Sequence, residues 1–215
     1  MAVVVATVLS ALMVTGCSSS TPDVPPSPTP SPSVTAEGPW KDPDWAVPVV
    51  STGTRLGEVS DKRIRIIVYQ VAIAKAPTDS EMVDVSDGQP LIAKGDPIVL
   101  LRYVVTNISK DPINLGIGTV SLTTSYPDWS WNQGLVGVRA PELMARHKLF
   151  TTPFKDGTAR PPYVLGPGES FMIGQNVAYE KAELLQITAA VVVSDNSGSE
   201  DASLSWTLKG SVHLL

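Results

Sequence analysis

The sequence has few of the side chains that most often act as nucleophile, base or metal ligand. It contains one cysteine, Cys17, and two histidines, His147 and His213. A single cysteine excludes an internal disulfide, so a folded domain must rest on burial of apolar surface. The serine-nucleophile elbow G-x-S-x-G, the zinc pair H-E-x-x-H and the S-x-x-K set are all missing. His147 sits where it can serve the end of a helix, and His213 lies close to the C-terminus, where fraying is expected. These gaps lead to an expectation of no enzymatic activity, no catalytic residues and no cofactor. Positive charge is also scarce: 16 lysines and arginines against 21 acidic residues give a net charge of −5, with no basic stripe. The electrostatic footprint of a nucleic-acid binder is therefore absent, and nucleic acid is excluded as a partner. No apolar run is long enough to span a bilayer as a helix.

The apolar run that does exist has the dimensions of a signal-peptide core. Residues 2–14 (AVVVATVLSALMV) carry no charge over thirteen positions, and the chain then turns abruptly to serine and proline. Val14-Thr15-Gly16-Cys17, an aliphatic residue and two small ones before cysteine, resembles the bacterial lipobox. That resemblance implies that residues 1–16 are a signal peptide and that Cys17 receives a diacylglycerol and becomes the first residue after cleavage. Buried acyl chains contribute about 0.8 kcal/mol per methylene, and two or three chains anchor stably where one does not. The expected address is the extracytoplasmic face of the cell membrane, reached through the lipid. The sequence departs from the signal-peptide pattern in one respect: only Met1 precedes the run, with no lysine or arginine, which leaves room for a start upstream.

Residues 18–39 contain seven prolines in 22 positions and almost nothing to bury. Such a segment favours an extended, disordered tether of roughly 3 Å per residue, and residues 17–46 are assigned to the lipidated cysteine and tether. Residues 47–215 remain for one folded domain. Within it, 63–74 (RIRIIVYQVAIA), 98–107 (IVLLRYVVTN), 113–124, 170–179 (SFMIGQNVAY), 184–193 (LLQITAAVVV) and 204–209 have strand composition. Val99, Leu101, Tyr103 and Val105 alternate with Arg102 and Thr106, as in a half-buried strand, and Leu185, Ile187, Ala189, Val191 and Val193 alternate likewise. Turn clusters SKDP, GPGE and SDNSGSED separate them. Residues 141–149 (PELMARHKL) predict the single short helix, with proline first, Glu142 at the positive end and Arg146, His147 and Lys148 at the negative end. The expected fold is an all-β sandwich.

Two stretches carry a resemblance. DPIVLLRYVVTNISKDPINLG (96–116) and YVLGPGESFMIGQNVAY (163–179) are similar to an extracellular immunoglobulin-like domain family of Gram-positive lipoproteins and secreted antigens. In that family one strand ends in asparagine before a short turn, and a proline-glycine-acidic turn leads into a later strand. The resemblance implies an immunoglobulin-like sandwich outside the cell and no particular chemistry.

Other motifs dissolve on inspection. GIGTV (116–120) lacks the lysine and hydroxyl ending of a phosphate loop. Asp195, Ser197, Ser199 and Asp201 alternate as calcium ligands do, but the loop lacks the glycine and the twelfth-position acid of a calcium loop, so an exposed hairpin and no metal are expected. Asp42 and Asp44 read as solvated.

Tryptophan is the better clue. Trp40 and Trp45 are placed to clamp the start of the domain, and Trp206 alternates with Leu204 and Leu208 as a core residue. Trp129 and Trp131 share a face if SYPDWSWNQG (125–134) is extended, either inside the core or, with Tyr126, as a loop-borne aromatic platform for a ligand. The functional expectation is a membrane-anchored, non-enzymatic binding module for an envelope protein or cell-wall glycan. The alternatives are a cell-envelope hydrolase with an unrecognised site, or a passive structural spacer.

Overall fold

The computed structural model describes residues 40–50, 52–84, 87–129, 134–135, 137–158 and 160–215. The expected signal peptide, Cys17 and the tether to residue 39 lie outside the described residues, as does Trp131.

The β-branched segments form strands. In chain order these are β1 (Thr54–Ser60), β2 (Ile64–Lys75), β3 (Pro97–Asn107), β4 (Ile113–Ser125), the helix α1 (Pro141–Arg146), β5 (Tyr163–Leu165), β6 (Ser170–Ala178), β7 (Leu184–Val193) and β8 (Trp206–His213). Two four-stranded sheets, β1-β2-β3-β6 and β5-β4-β7-β8, face each other with every neighbour antiparallel. Strands β2, β3 and β6 occupy the A, B and E positions of an immunoglobulin-like sandwich, and β4, β7 and β8 occupy C, F and G. The short β5 pairs with β4, and β1 adds an outer strand beside β2. The fold is the expected all-β sandwich.

Between the sheets lie the alternating residues that the sequence marks: Val99, Leu101, Tyr103 and Val105 from β3 against Leu185, Ile187, Ala189 and Val191 from β7. On one side the sandwich closes tightly, because β1 lies against β8. A Cβ on Gly210 would stand 2.6 Å from a methyl of Val59, so only glycine allows this approach. Trp206 is half-buried, packs against this core and carries the Arg63 guanidinium 3.3 Å above its ring. Leu204, expected to share its face, lies outside β8 in a turn and is exposed.

Strand β3 departs from the half-buried expectation. From Ile98 to Asn107 every residue is buried, on both faces. Two non-strand segments cover the outer face. Trp40, Val47, Val49 and Val50 pack over Ile67, Tyr69, Val104 and Met172. Val138, Ala140, Met144 and Leu149 pack over Ile98, Leu100 and Ala178. Alternation within one strand carries no sign of what a distant segment will lay over its second face.

The first of these segments moves the domain boundary. Residues 40–46, assigned to the tether from sequence, are folded: Ser170 N donates to Lys41 O at 2.8 Å, Lys41 pairs with Glu169 at 3.0 Å, and Ala46 is fully buried. Trp45 sets its ring 5.3 Å from Phe171 and 5.5 Å from Tyr163, and its indole N–H donates to Val164 O at 2.8 Å. Both tryptophans of PWKDPDW thus clamp the chain onto the sandwich, as expected. Asp42, read as solvated, accepts a hydrogen bond from Val49 N at 3.0 Å.

Helix α1 is shorter than the nine residues expected. Proline opens it, Glu142 and Arg146 sit at the ends that suit their charge, and His147 caps it. Lys148 then enters the left-handed region at φ 51°, which ends the helix. His213 is not frayed: it closes the β8 ladder opposite Leu184, with its ring nitrogen 3.4 Å from Ala182 O.

Candidate functional site

The long connection between β4 and β5 borders a concave surface, and Tyr126 and Trp129 at its start are struts. Tyr126 is buried; its hydroxyl donates to Ala178 O at 2.7 Å and accepts from Glu180 N at 3.3 Å. Trp129 meets it edge-on, with ring centroids 5.6 Å apart at 72°, and touches both the inter-sheet core and the cluster beneath α1. A ligand platform needs open ring faces, and Tyr126 has none, so the structure withdraws it from the expected aromatic surface. Trp129 is half-buried against it.

From this anchorage the connection crosses toward β6. Leu135 N donates to Thr124 O at 2.6 Å. Three residues later the chain has reached the other sheet, where the Asn176 side chain accepts from Val138 N at 2.8 Å and donates to Val138 O at 3.2 Å. Gly137 passes Asn176 so closely that no side chain would fit. After α1 the chain returns along β6, and Gly174 N donates to Phe150 O at 2.6 Å.

Between the outer edge of β4 and this return lies a groove of about 500 Å³. One wall is residues 117–122 of β4; the other is residues 151–154 with 173–176 of β6. No charged side chain lines it among the described residues. At its rim stands Ile117, 65% exposed, carried by an irregularity in β4 between Leu115 and Val120, where Thr119 takes φ 40°. The glycines of GIGTV serve this bulge. A second recess of about 480 Å³ adjoins the groove at Val138, Thr151, Thr152 and Asn176 and runs beneath α1 to Met144 and Phe150. Nothing in the composition singled out this groove, because its walls come from three stretches well separated in sequence, 117–122, 151–154 and 173–176.

The other candidates are dispersed. His147 serves through its backbone, as the cap of α1 and as an acceptor for Arg102. In the hairpin 194–201 the Asp195 carboxylate accepts from Ser197 Oγ at 2.6 Å, Ser197 N at 2.8 Å and Ser199 N at 3.1 Å. The Ser197 hydroxyl, with the backbone donors beside it, holds the Asp195 pKa below the usual carboxylate value. The loop thereby satisfies its own oxygen atoms. No group of three or more metal-ligating side chains converges among the described residues.

No protein-family model and no curated protein matches the sequence, so the family resemblance rests on its two motifs alone. Solved structures similar to this one include a candidate lipoprotein (ycdA) of Bacillus subtilis subsp. subtilis strain 168, with a TM-score of 0.35 and 13% identity over 74% of this chain. This chain spans 38% of the length of that protein. A functionally unknown protein of Listeria monocytogenes EGD-e is similar at a TM-score of 0.34 and 13% identity, over 76% of this chain and 83% of its own.

Proposed function

We propose that the chain is a bacterial lipoprotein acylated at Cys17, whose β-sandwich acts outside the cytoplasm as a non-enzymatic binding module at the cell membrane. One observation carries the reading: the order of the apolar run 2–14, Val14-Thr15-Gly16-Cys17, the proline-rich residues 18–39, and a folded unit already under way at Trp40. Each segment suits the next: an export signal, an acyl acceptor, a spacer poor in apolar side chains, and a sandwich stabilised by burial alone. The binding role draws support from the groove that the β4–β5 connection presents beside a rigid sandwich, a usual location for recognition. An envelope protein or a cell-wall glycan is the class of partner such a location offers.

The test is metabolic labelling with fatty acid together with detergent-phase partitioning. The wild-type chain is expected to take up label and enter the detergent phase. Cys17→Ala is expected to do neither, since no second thiol exists. Equal labelling and membrane retention of the variant would overturn the assignment.

A further inference from the structure

The sandwich is closed along one side and open along the other. Where β1 meets β8 the two sheets touch, but where the edges of β4 and β6 face each other a groove lies between them, bordered among the described residues by the irregular β4–β5 connection. On the β4 side of that gap, β5 pairs with Ile113, Asn114 and Leu115 alone, and the bulge occupies the next four residues. Beyond the bulge β4 runs regularly beside β7 from Val120 to Ser125.

In an antiparallel strand the N–H and C=O of one residue point to the same side, and successive residues alternate. Thr124 O accepts from Leu135, on the side away from β7. Leu122 and Val120 therefore also direct their N–H and C=O away from β7 and toward the groove, which both residues line. Among the described residues none bonds to these four groups. Among the described residues they form a short, unpaired strand edge set in a recess. Lysine and proline, two of the usual protections of such an edge, are missing from the sequence VSLTT that carries it, and the bulge, a third, lies before Val120 rather than within it.

We propose that this groove receives an extended, uncharged polypeptide segment of a partner protein, which adds to the β4 edge at Val120 and Leu122. The proposal rests on the binding-module reading and names its partner class. Donor and acceptor pairs repeating every second residue, about 6.6 Å apart, match the backbone of another strand. The walls offer Thr119, Ser121, Thr151, Thr152 and Gln175 with apolar side chains between them, and no charge to compensate one on the occupant. Ile117 at the rim supplies an apolar contact for a side chain leaving the groove.

The experiment uses the full chain carrying Cys17→Ala, which keeps acyl groups out of the assay. The probes are capped hexapeptides alternating threonine with valine, leucine or phenylalanine. Amide hydrogen exchange is read residue by residue. At least one probe is expected to slow exchange at Val120 and Leu122 by about tenfold or more, saturably, leaving β8 unchanged. The same peptide with N-methylated amides, or with glutamate replacing threonine, is expected to bind at least about tenfold more weakly. Leu122→Pro removes one edge donor without removing a bond to β7, and Thr152→Glu puts a charge on an exposed wall. Both are expected to weaken binding, and Thr152→Glu to do so with an unchanged melting curve, which separates the effect from misfolding. Unchanged exchange at millimolar concentrations of every probe would overturn the proposal, as would equal binding of the N-methylated peptide or a preference for the charged one. Protection in the free chain that grows with protein concentration would also overturn it, by showing that a second copy fills the groove. Fatty-acid labelling of Cys17 is unaffected by any of these outcomes, so failure here and failure of the lipoprotein reading remain distinct.

Discussion

The guanidinium of Arg102, in the middle of β3, donates to the carbonyl of His147 at 3.0 Å and to that of Lys148 at 3.5 Å. Its other terminal nitrogen donates to the hydroxyl of Thr52 at 2.7 Å and to the Thr52 carbonyl. The side chain is completely buried, and burial lowers the pKa of the guanidinium from its usual value. Carbonyl dipoles, including those at the end of α1 where partial negative charge accumulates, take the place of a carboxylate. One residue thus ties both covering segments to the outer face of β3. Arg102→Ala is expected to cost roughly 3 kcal/mol or more, because it orphans several acceptors at once. Arg102→Lys is expected to recover only part of that loss, since a point charge cannot fork between Thr52 and His147. Urea unfolding of both variants checks the order; a loss within error of zero for Arg102→Ala would show that the segments dock without the clamp.

Asn107 explains why the two family-like stretches belong together. Its N–H donates to Glu169 O at 3.0 Å, and its carbonyl accepts from Gly168 N at 2.8 Å. Its side-chain amide donates to Leu165 O at 2.8 Å and Asp111 O at 2.9 Å and accepts from Ser109 N at 2.9 Å. The residue is fully buried and knits the turn after β3 to the turn before β6. Asn107→Ala is expected to destabilise by about 2 to 3 kcal/mol. Asn107→Asp is expected to do no better near neutral pH, because a carboxylate cannot donate to the two carbonyls. Thermal melts of the pair test this; full rescue by aspartate would contradict the donor role.

These elements differ in how much of them the sequence displays. Strands β2, β3, β4, β6 and β7 show because apolar residues, many of them β-branched, are concentrated in each between turn clusters, and Leu185 to Val193 keeps its face as its alternation requires. Strand β1 does not show: Arg55, Gly57 and Glu58 interrupt its pattern, and its position comes from the close fit to Val212 and Gly210. Strand β5 has three residues, too few for any period. The groove is harder still, since it depends on where Leu135 and Val138 attach to different sheets, a matter of contacts between segments rather than of composition. Aromatic residues drew attention to this connection but not to whether a ring is buried, as Tyr126 is, because a buried ring and a binding ring look alike in sequence.

The boundary of the fold can be tested directly. Deleting residues 19–35 is expected to leave the melting temperature nearly unchanged, because that segment has little apolar surface to contribute. Trp45→Ala is expected to cost about 3 kcal/mol, since three ring contacts and a hydrogen bond disappear together. If the deletion destabilised as much as the substitution, residues 19–35 would themselves be packed on the sandwich.

Alkaline stability follows from two buried phenols. Tyr103, completely buried and donating to Gln175 Oε1 at 3.0 Å, has its pKa raised by burial above the ordinary tyrosine range. The Tyr126 pKa is pushed up to about 12, chiefly by burial, with the Glu180 N–H acting in the opposite direction. A raised pKa means that the unfolded chain releases its protons first as pH climbs. The stability held in the neutral phenols is complete below about pH 10 and declines as pH rises through about 12. Unfolding free energy against pH should fall over that window, and the fall should be shallower in Tyr126→Phe. An equal slope in the variant would mean that Tyr126 titrates normally.

The edge-on contact of Tyr126 with Trp129 separates a strut from a ligand platform. As a strut, Trp129→Leu should destabilise by about 2 to 3 kcal/mol, below the full range for a wholly buried tryptophan because the ring is half-buried. Tyr126→Phe should cost about 1 kcal/mol for the bond to Ala178 O. Tyr126→Leu combined with Trp129→Leu should lose about 1 kcal/mol less than the sum of the single changes, the coupling expected of one aromatic pair. The pair also fixes where the connection departs from β4, so Trp129→Leu should raise amide exchange at Leu135 and Val138, which bond to the two sheets. A platform for a ligand would behave otherwise: additive substitutions, a melting curve close to wild type, and unchanged exchange across the groove. Chemical denaturation and exchange measured on Trp129→Leu, Tyr126→Leu, their combination and Tyr126→Phe decide between the two.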